Sequence, residues 1–372
     1  MLSYYSRHLE GLENQRRRRS LIGRSGTDFS SNDYLGVSND PRLRTALAAA
    51  LNRGVPVGSG GSRLLRGNHA EHEALEAEAA AFFGSEAALF LSSGYVANSA
   101  LLSTLPQSGD HIFYDALIHA SAHEGMRLAR CGGTEVPHND AEGFERAIAR
   151  WRAAGGDGRP WIAVESLYSM DGDRAPLEAL AAIADRHEAF LLIDEAHATG
   201  VFGERGRGLA AGLQGRENVI VLRTLGKALG CEGALICCAG VLRDFLVNRA
   251  RGFIFSTAPS PLMAAVARAA IAIAADADDR RAALRALWTY AAERLVDHGA
   301  QATGTQIMPL ILADDGLTMA VAGKLQAAGL DVRGIRPPTV APGTARLRIS
   351  LTLNVGQADI DALDAALAQA LA

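Results

Sequence analysis

Short apolar runs recur between residues 87 and 239, at 88–91, 111–114, 161–164, 190–193, 219–222 and 234–237. Each is continuous rather than alternating, the pattern of strands buried on both faces. Helix-spaced stretches separate them, so the pattern predicts an α/β fold with a mostly parallel central sheet covered by helices. Upstream, Asp40 and Pro41 suit the N-cap and first position of a helix running to about residue 52. A second helix is predicted over about 69–83, with Leu75 and the alanines on one face. Between them, Gly58-Ser59-Gly60-Gly61-Ser62-Arg63 is irregular. Its backbone donors suit an anion, and plain flexibility is the other reading. Beyond the prolines at 259 and 261 come an alanine-rich helix and a charged helix over about 278–298. Strand, helix, strand, strand and a last helix over 360–371 follow. The chain is therefore expected to divide into a leader (1–40), a large α/β domain (41–265) and a small C-terminal α+β domain (266–372).

Composition narrows the class. The chain has 372 residues, 48% hydrophobic and 21% charged, as in ordinary globular proteins. A net charge of −4 gives no general affinity for nucleic acid. No apolar run reaches membrane-span length, so neither nucleic acid nor membrane is expected as a partner. Cys131, Cys231, Cys237 and Cys238 lack metal-ligand spacing, and two are adjacent in an apolar run. No metal and no disulfide framework are expected, and a reducing, cytoplasmic setting fits. No apolar signal core follows Arg16 to Arg19, and Glu10 and Glu13 do not suit a transit peptide. Those arginines read as a solvated helix face, with one of them available to a substrate carboxylate.

The candidate chemistry clusters at strand ends. Thr224-Leu225-Gly226-Lys227-Ala228-Leu229-Gly230 follows the run 219–222 directly. Open α/β sheets bind ligands in that position. A partly buried lysine there is a candidate imine-forming nucleophile, the alternative being an exposed loop lysine. Asp194 ends Phe190-Leu191-Leu192-Ile193. A carboxylate in so apolar a place needs a partner, and a protonated pyridine nitrogen is one. A helix cap or a metal is the other reading. His197 and His119 sit on loops at strand ends, where one could hydrogen-bond a ligand oxygen and the other stack on a flat ring. Ser93-Gly94-Tyr95 opens a helix whose free amides suit a phosphate. Asn32 is a site residue or simply a turn residue.

These motifs together resemble the α-oxoamine synthase family of fold-type I pyridoxal phosphate (PLP) enzymes. Asp194-Glu195-Ala196-His197-Ala198-Thr199-Gly200, Gly203, Gly206-Arg207-Gly208, Thr224-Leu225-Gly226-Lys227 and Ser169-Met170-Asp171-Gly172 carry the resemblance. It extends from Ser31-Asn32-Asp33-Tyr34-Leu35-Gly36 to the C-terminal helix. The resemblance implies a fold-type I PLP-dependent transferase that joins an amino acid to an acyl thioester with loss of carbon dioxide. It implies that Lys227 binds the cofactor covalently, Asp194 pairs with its pyridinium, His197 meets its phenolic oxygen and His119 stacks on its ring. Gly94, Tyr95, Ser169 and Thr224 would help hold it. Thr257 would reach the phosphate in the neighbouring subunit, giving a homodimer with shared active sites. Ile335-Arg336-Pro337-Pro338-Thr339-Val340 and Gly343-Thr344-Ala345-Arg346-Leu347-Arg348 resemble the members that take L-alanine and a pimeloyl thioester, carried by CoA or acyl carrier protein. Arg348 or Arg336 would bind the amino-acid carboxylate, and Thr339 would lie near the acyl substrate. Arg19, chosen by its distance from Ser31, would also meet substrate. Sister members using glycine and acetyl-CoA are the near alternative. A non-catalytic PLP-binding subunit is the distant one, and such a subunit would be expected to lack the lysine.

Overall fold

The computed structural model describes residues 1–372. In chain order, α1 (Ser3–Asn14) precedes β1 (Thr27–Asp28), α2 (Pro41–Asn52) and α3 (Ala70–Phe83). An alternating run follows: β2 (Ala87–Leu91), α4 (Gly94–Thr104), β3 (His111–Asp115), α5 (Ala120–Leu128), β4 (Gly132–Val136) and α6 (Ala141–Ala153). It continues through β5 (Pro160–Glu165), α7 (Leu177–Arg186), β6 (Phe190–Asp194), β7 (Val219–Thr224) and β8 (Ala234–Cys238). Next come α8 (Gly240–Arg249), α9 (Arg251–Ile254), α10 (Pro261–Ala275) and α11 (Asp278–Leu295). The chain ends with β9 (Ile307–Ala313), α12 (Asp315–Ala327), β10 (Leu330–Asp331), β11 (Arg333–Ile335), β12 (Ala345–Ser350) and α13 (Gln357–Leu371). Two compact units result: 35–169 with 174–281, and 1–34 with 170–173 and 282–372.

The larger unit holds a seven-stranded sheet in the order β2-β8-β7-β6-β5-β3-β4. Only β8 runs against its neighbours, so the other strands place their carboxyl ends on one edge. The expected mostly parallel sheet is present. Side-chain alternation sorts its two faces. Leu192, Ile220 and Leu222 pack with Leu101 and Leu102 of α4 on one face. Leu191, Ile193, Val219 and Val221 pack with Phe144, Ile148 and Leu180 on the other. By the same alternation, Asp194 and Thr224 belong to the first face, and Glu195 and Arg223 to the second.

The division of the chain differs in detail from the expected one. The alanine-rich helix α10 packs on α2 and α3 in the larger unit, with Ala50, Val55, Leu262 and Ala265 forming a small cluster. The boundary therefore falls near residue 281 rather than 265. Residues 35–40 also belong to the larger unit, because Arg280 donates to Leu35 O (3.1 Å) and pairs with Asp40 (2.7 Å).

In the smaller unit, β11, β12 and β9 form an antiparallel sheet and β1 pairs with β10 in parallel. The N-terminal segment is held by Ser350 N donating to Phe29 O at 2.8 Å. Residues 170–173 are held by Thr305 Oγ1 on Gly172 O (2.9 Å) and by Arg346 on Asp171 (2.5 Å). No residue of α1 is buried. No helix is long and apolar enough to cross a membrane.

Candidate active site

The carboxyl-end edge of the large sheet gathers the predicted residues of the larger unit except Thr257. Thr224 closes β7, and its hydroxyl donates to Gly233 O at 3.3 Å. The chain then makes a tight loop, with Leu225 N on Gly233 O and Cys231 N on Leu225 O, both 2.9 Å. Gly230 has φ +63°, and a Cβ there would lie 2.3 Å from Ser38 N. Only glycine fits that close, left-handed turn. The loop presents Lys227, whose Nζ lies 2.6 Å from Nε2 of His197. His197 is buried on the turn after β6.

Asp194 ends β6 and is buried. One of its oxygens accepts Ala196 N at 2.8 Å, the other Asn98 Nδ2 at 2.7 Å. Asn98 lies on α4 and also donates to Ser121 Oγ at 3.0 Å. Ser121 Oγ is 2.7 Å from Nδ1 of His119. A continuous chain thus joins His119 to Asp194 through Ser121 and Asn98. Sequence reasoning did not assign a role to Asn98. Its helical position after Gly94-Tyr95, on the turn that faces the strand ends, was the available signal. His119 is open to solvent as a residue, yet enough protein crowds its ring that desolvation holds the imidazole below its ordinary value of 6.5.

Glu165 was also missed. It ends β5 directly beside Asp194 in the ladder, and its Oε1 is buried without a partner. Desolvation, then the neighbouring Asp194, pushes its carboxyl well above the usual 4.5. Ser169 is buried on the following loop and bonds Glu165 through its backbone. Cys231 follows the lysine loop, and burial pushes its thiol up to about 11, so it is no competing nucleophile at neutral pH.

Ser93 caps α4 by accepting Val96 N at 3.2 Å, leaving the first amides, at Gly94 and Tyr95, directed out of the helix end. A Cβ at Gly94 would sit in ordinary contact with Leu222 and Thr224, 3.8–3.9 Å away, so this helix end lies against the end of β7. Tyr95 is half exposed, and Thr257 is exposed on the segment before α10. Tyr95 and Phe255 line an open groove of about 860 Å³.

The smaller unit gathers a second group. Arg348 is buried in β12 and donates to Ser350 Oγ (2.6 Å), Asn32 Oδ1 (3.0 Å) and Tyr34 OH (3.3 Å). Arg346, two positions earlier on the same face, is occupied by Asp171. Three of the four arginines at 16–19 differ in partner. Arg17 pairs with Asp315 at 2.7 Å and Arg18 with Glu13 at 3.3 Å. Arg19 donates to Thr339 Oγ1 at 3.1 Å. Thr339 N in turn bonds Arg336 O at 3.0 Å. Desolvation, and then Arg19, lowers the pKa of Arg336. The structure therefore brings Arg19, Arg336 and Thr339 together, and separately Asn32 and Arg348.

The residues of the larger unit fit PLP. A buried carboxylate with two donors suits a pyridinium, a lysine amine stands beside a histidine, and a helix end with outward amides lies against the strand end that leads to that lysine. The chain belongs to the aminotransferase class I and II family, whose model matches residues 24–367, and within it to the α-oxoamine synthase group. PLP is the cofactor of this family. A putative 8-amino-7-oxononanoate synthase of Bacillus licheniformis is 41% identical, covering 91% of this chain and 88% of its own. The 8-amino-7-oxononanoate synthase of Geobacter sulfurreducens is 41% identical, covering 93% and 89%. Among solved structures, Sphingomonas wittichii serine palmitoyltransferase superposes with a TM-score of 0.89 at 29% identity, covering 100% of this chain and 98% of its own. The 8-amino-7-oxononanoate synthase of Francisella tularensis superposes with a TM-score of 0.79 at 29% identity, covering 93% and 98%.

Proposed function

We propose that this enzyme condenses L-alanine with a pimeloyl thioester, giving 8-amino-7-oxononanoate, carbon dioxide and the free thiol. The observation that carries the reading is Lys227 Nζ set 2.6 Å from His197 Nε2 beside the buried Asp194. The identity of 41% to the synthases named above supports the substrate choice. Serine palmitoyltransferase matches the backbone with the higher TM-score. Substrate choice depends on side chains rather than backbone path, so the sequence identity weighs more.

PLP, when bound, supplies an electron sink for the charge that develops at the alanine α-carbon. Lys227, Asp194, His197, His119, Gly94, Tyr95, Ser169 and Thr224 would hold it. Lys227 Nζ takes the α-proton from alanine, with His197 Nε2 within reach to steady or share that proton. Asp194, its carboxylate directed by Asn98 Nδ2 and Ala196 N, would pair with the protonated pyridine nitrogen. The bond from the alanine α-carbon to the acyl carbon forms as the carbon–sulfur bond breaks. Loss of the alanine carboxyl as carbon dioxide and uptake of a proton complete the balance. Arg348, oriented by Asn32, Tyr34 and Ser350, is assigned the amino-acid carboxylate. Arg19 and Arg336, grouped around Thr339, are assigned the acyl substrate. With four free cysteines, a reducing cytoplasm fits this chemistry.

The test is thiol release by the PLP-loaded protein with product masses. L-alanine plus pimeloyl-CoA should far exceed glycine plus acetyl-CoA and L-serine plus palmitoyl-CoA. Preference for either other pair defeats the substrate assignment. Thr257, exposed two residues after the groove-lining Phe255, supports a homodimer in which Thr257 serves the partner's phosphate. Sedimentation should then give about twice the 39.1 kDa chain mass; a monomer that is fully active would refute sharing.

A further inference from the structure

We infer that Glu195 and Arg223 form a positioning pair that fixes the spacing between the His197 turn and the Lys227 loop from the sheet face opposite Asp194 and Thr224. Both side chains are fully buried and lie 2.6 Å apart. An arginine inside Val219-Ile220-Val221-Leu222-Arg223-Thr224 interrupts an otherwise apolar strand. Burying two charges is costly, and an apolar pair would suit the core at least as well. The contacts of the pair indicate what it does instead.

Arg223 donates to Arg207 O at 2.6 Å, to Gln214 Oε1 at 3.2 Å and to Thr199 Oγ1 at 3.3 Å. Its guanidinium lies 4.1 Å from the centre of the Phe83 ring. Glu195 accepts Ala210 N at 2.7 Å. Its own backbone N donates to Leu222 O of β7, and its carbonyl accepts Ala198 N and Thr199 N. The pair thus ties β6 to β7 one residue past Asp194 and four residues before Lys227. It also clamps both ends of the turn carrying His197. The glycine motif seen in the sequence is explained at the same place. Gly208 has φ +94°, and a Cβ there would lie 1.7 Å from the Glu195 carboxylate, while a Cβ on Gly203 would strike Gly208 O at 2.2 Å. The loop from 203 to 210 is shaped to wrap this carboxylate.

The test uses Glu195→Gln/Arg223→Met, which removes both charges together. Replacing a buried ion pair by neutral groups of similar size commonly leaves stability unchanged. The double variant should melt within a few degrees of wild type as apoprotein. It should nevertheless bind PLP roughly tenfold or more weakly, as expected for groups displaced by a fraction of an ångström. The midpoint pH of the bound-cofactor absorbance should also shift. A stable double variant with wild-type PLP affinity and an unmoved midpoint overturns the proposal. Arg223→Lys keeps the charge beside Glu195 but loses the fork to Arg207 and Gln214. It should lose PLP affinity in the same direction by a smaller factor. Should the double variant not fold, unchanged affinity and midpoint in Arg223→Lys overturn the proposal alone. The inference rests on the PLP assignment. Wild-type protein that bound no PLP would defeat that assignment itself, a distinguishable failure.

Discussion

At the residue scale, the site depends on how its charges are oriented. Asp194 sits at the end of an apolar strand and is steered by one backbone amide and one side chain, Asn98. A hydrogen bond to a charged group contributes about 1.5–3 kcal/mol, roughly a tenfold to hundredfold factor. Asn98→Ala should therefore weaken PLP binding and lower kcat/KM by about that factor while the fold persists. PLP titration with steady-state turnover checks this, and near wild-type values in both would remove Asn98 from the site. Lys227, Asp194 and His197 stand out in the sequence as candidates because they follow apolar runs closely, at the edge where open α/β sheets bind ligands. Asn98 was not, because an asparagine on a helix declares nothing until the strand opposite is placed. Glu165 was hidden for a related reason. It reads as a loop residue after Val164, and only the register of β5 on β6 sets it beside Asp194.

At the element scale, continuous apolar runs revealed six of the seven strands of the large sheet. The missing one, β4, reads Gly132-Gly133-Thr134-Glu135-Val136. It lies at the sheet edge, pairs only with β3 and is mostly exposed, so burial never demanded apolar side chains there. The start of the helix at 41–52 was legible, because Asp40 accepts Arg42 N at 2.9 Å and Pro41 sits in the first turn. The alanine-rich helix α10 was found, but its allegiance was not. Small side chains permit close packing without specifying against what, and only the tertiary contacts set it on α2 and α3. The lysine loop shows the opposite case. One of its glycines is required by the structure, since Gly230 must be left-handed and must pass Ser38 N closely. The local sequence there already encoded the tertiary constraint.

At the scale of the whole molecule, the acid side of the stability curve depends on buried histidines and buried carboxyls together. His72, His111, His119 and His123 all have pKa values lowered from 6.5, each chiefly by desolvation. Two of them are also held as acceptors: His72 Nδ1 accepts His69 N at 3.2 Å, and His119 Nδ1 accepts Ser121 N at 3.2 Å. Protonation would remove both bonds. Between the folded pKa and 6.5, each of these groups binds fewer protons folded than unfolded. Stability therefore rises with pH through that window and is lost as pH falls through it. Glu165 and Glu195 act in the opposite sense. Burial raises both, so the folded chain binds more protons above 4.5 and their contribution shrinks as pH rises. Asp40, Glu71 and Glu145 are lowered, and their window lies below the ordinary carboxylate value, outside the range in question. Protonating His72 and His119 also costs two hydrogen bonds, so the histidines are expected to outweigh the two carboxyls between about pH 5 and 6.5. The melting temperature of the apoprotein should fall by several degrees from pH 7.5 to pH 5.5. A melting temperature that held or rose over that interval would mean that the buried carboxyls, not the imidazoles, govern the acid side of this fold.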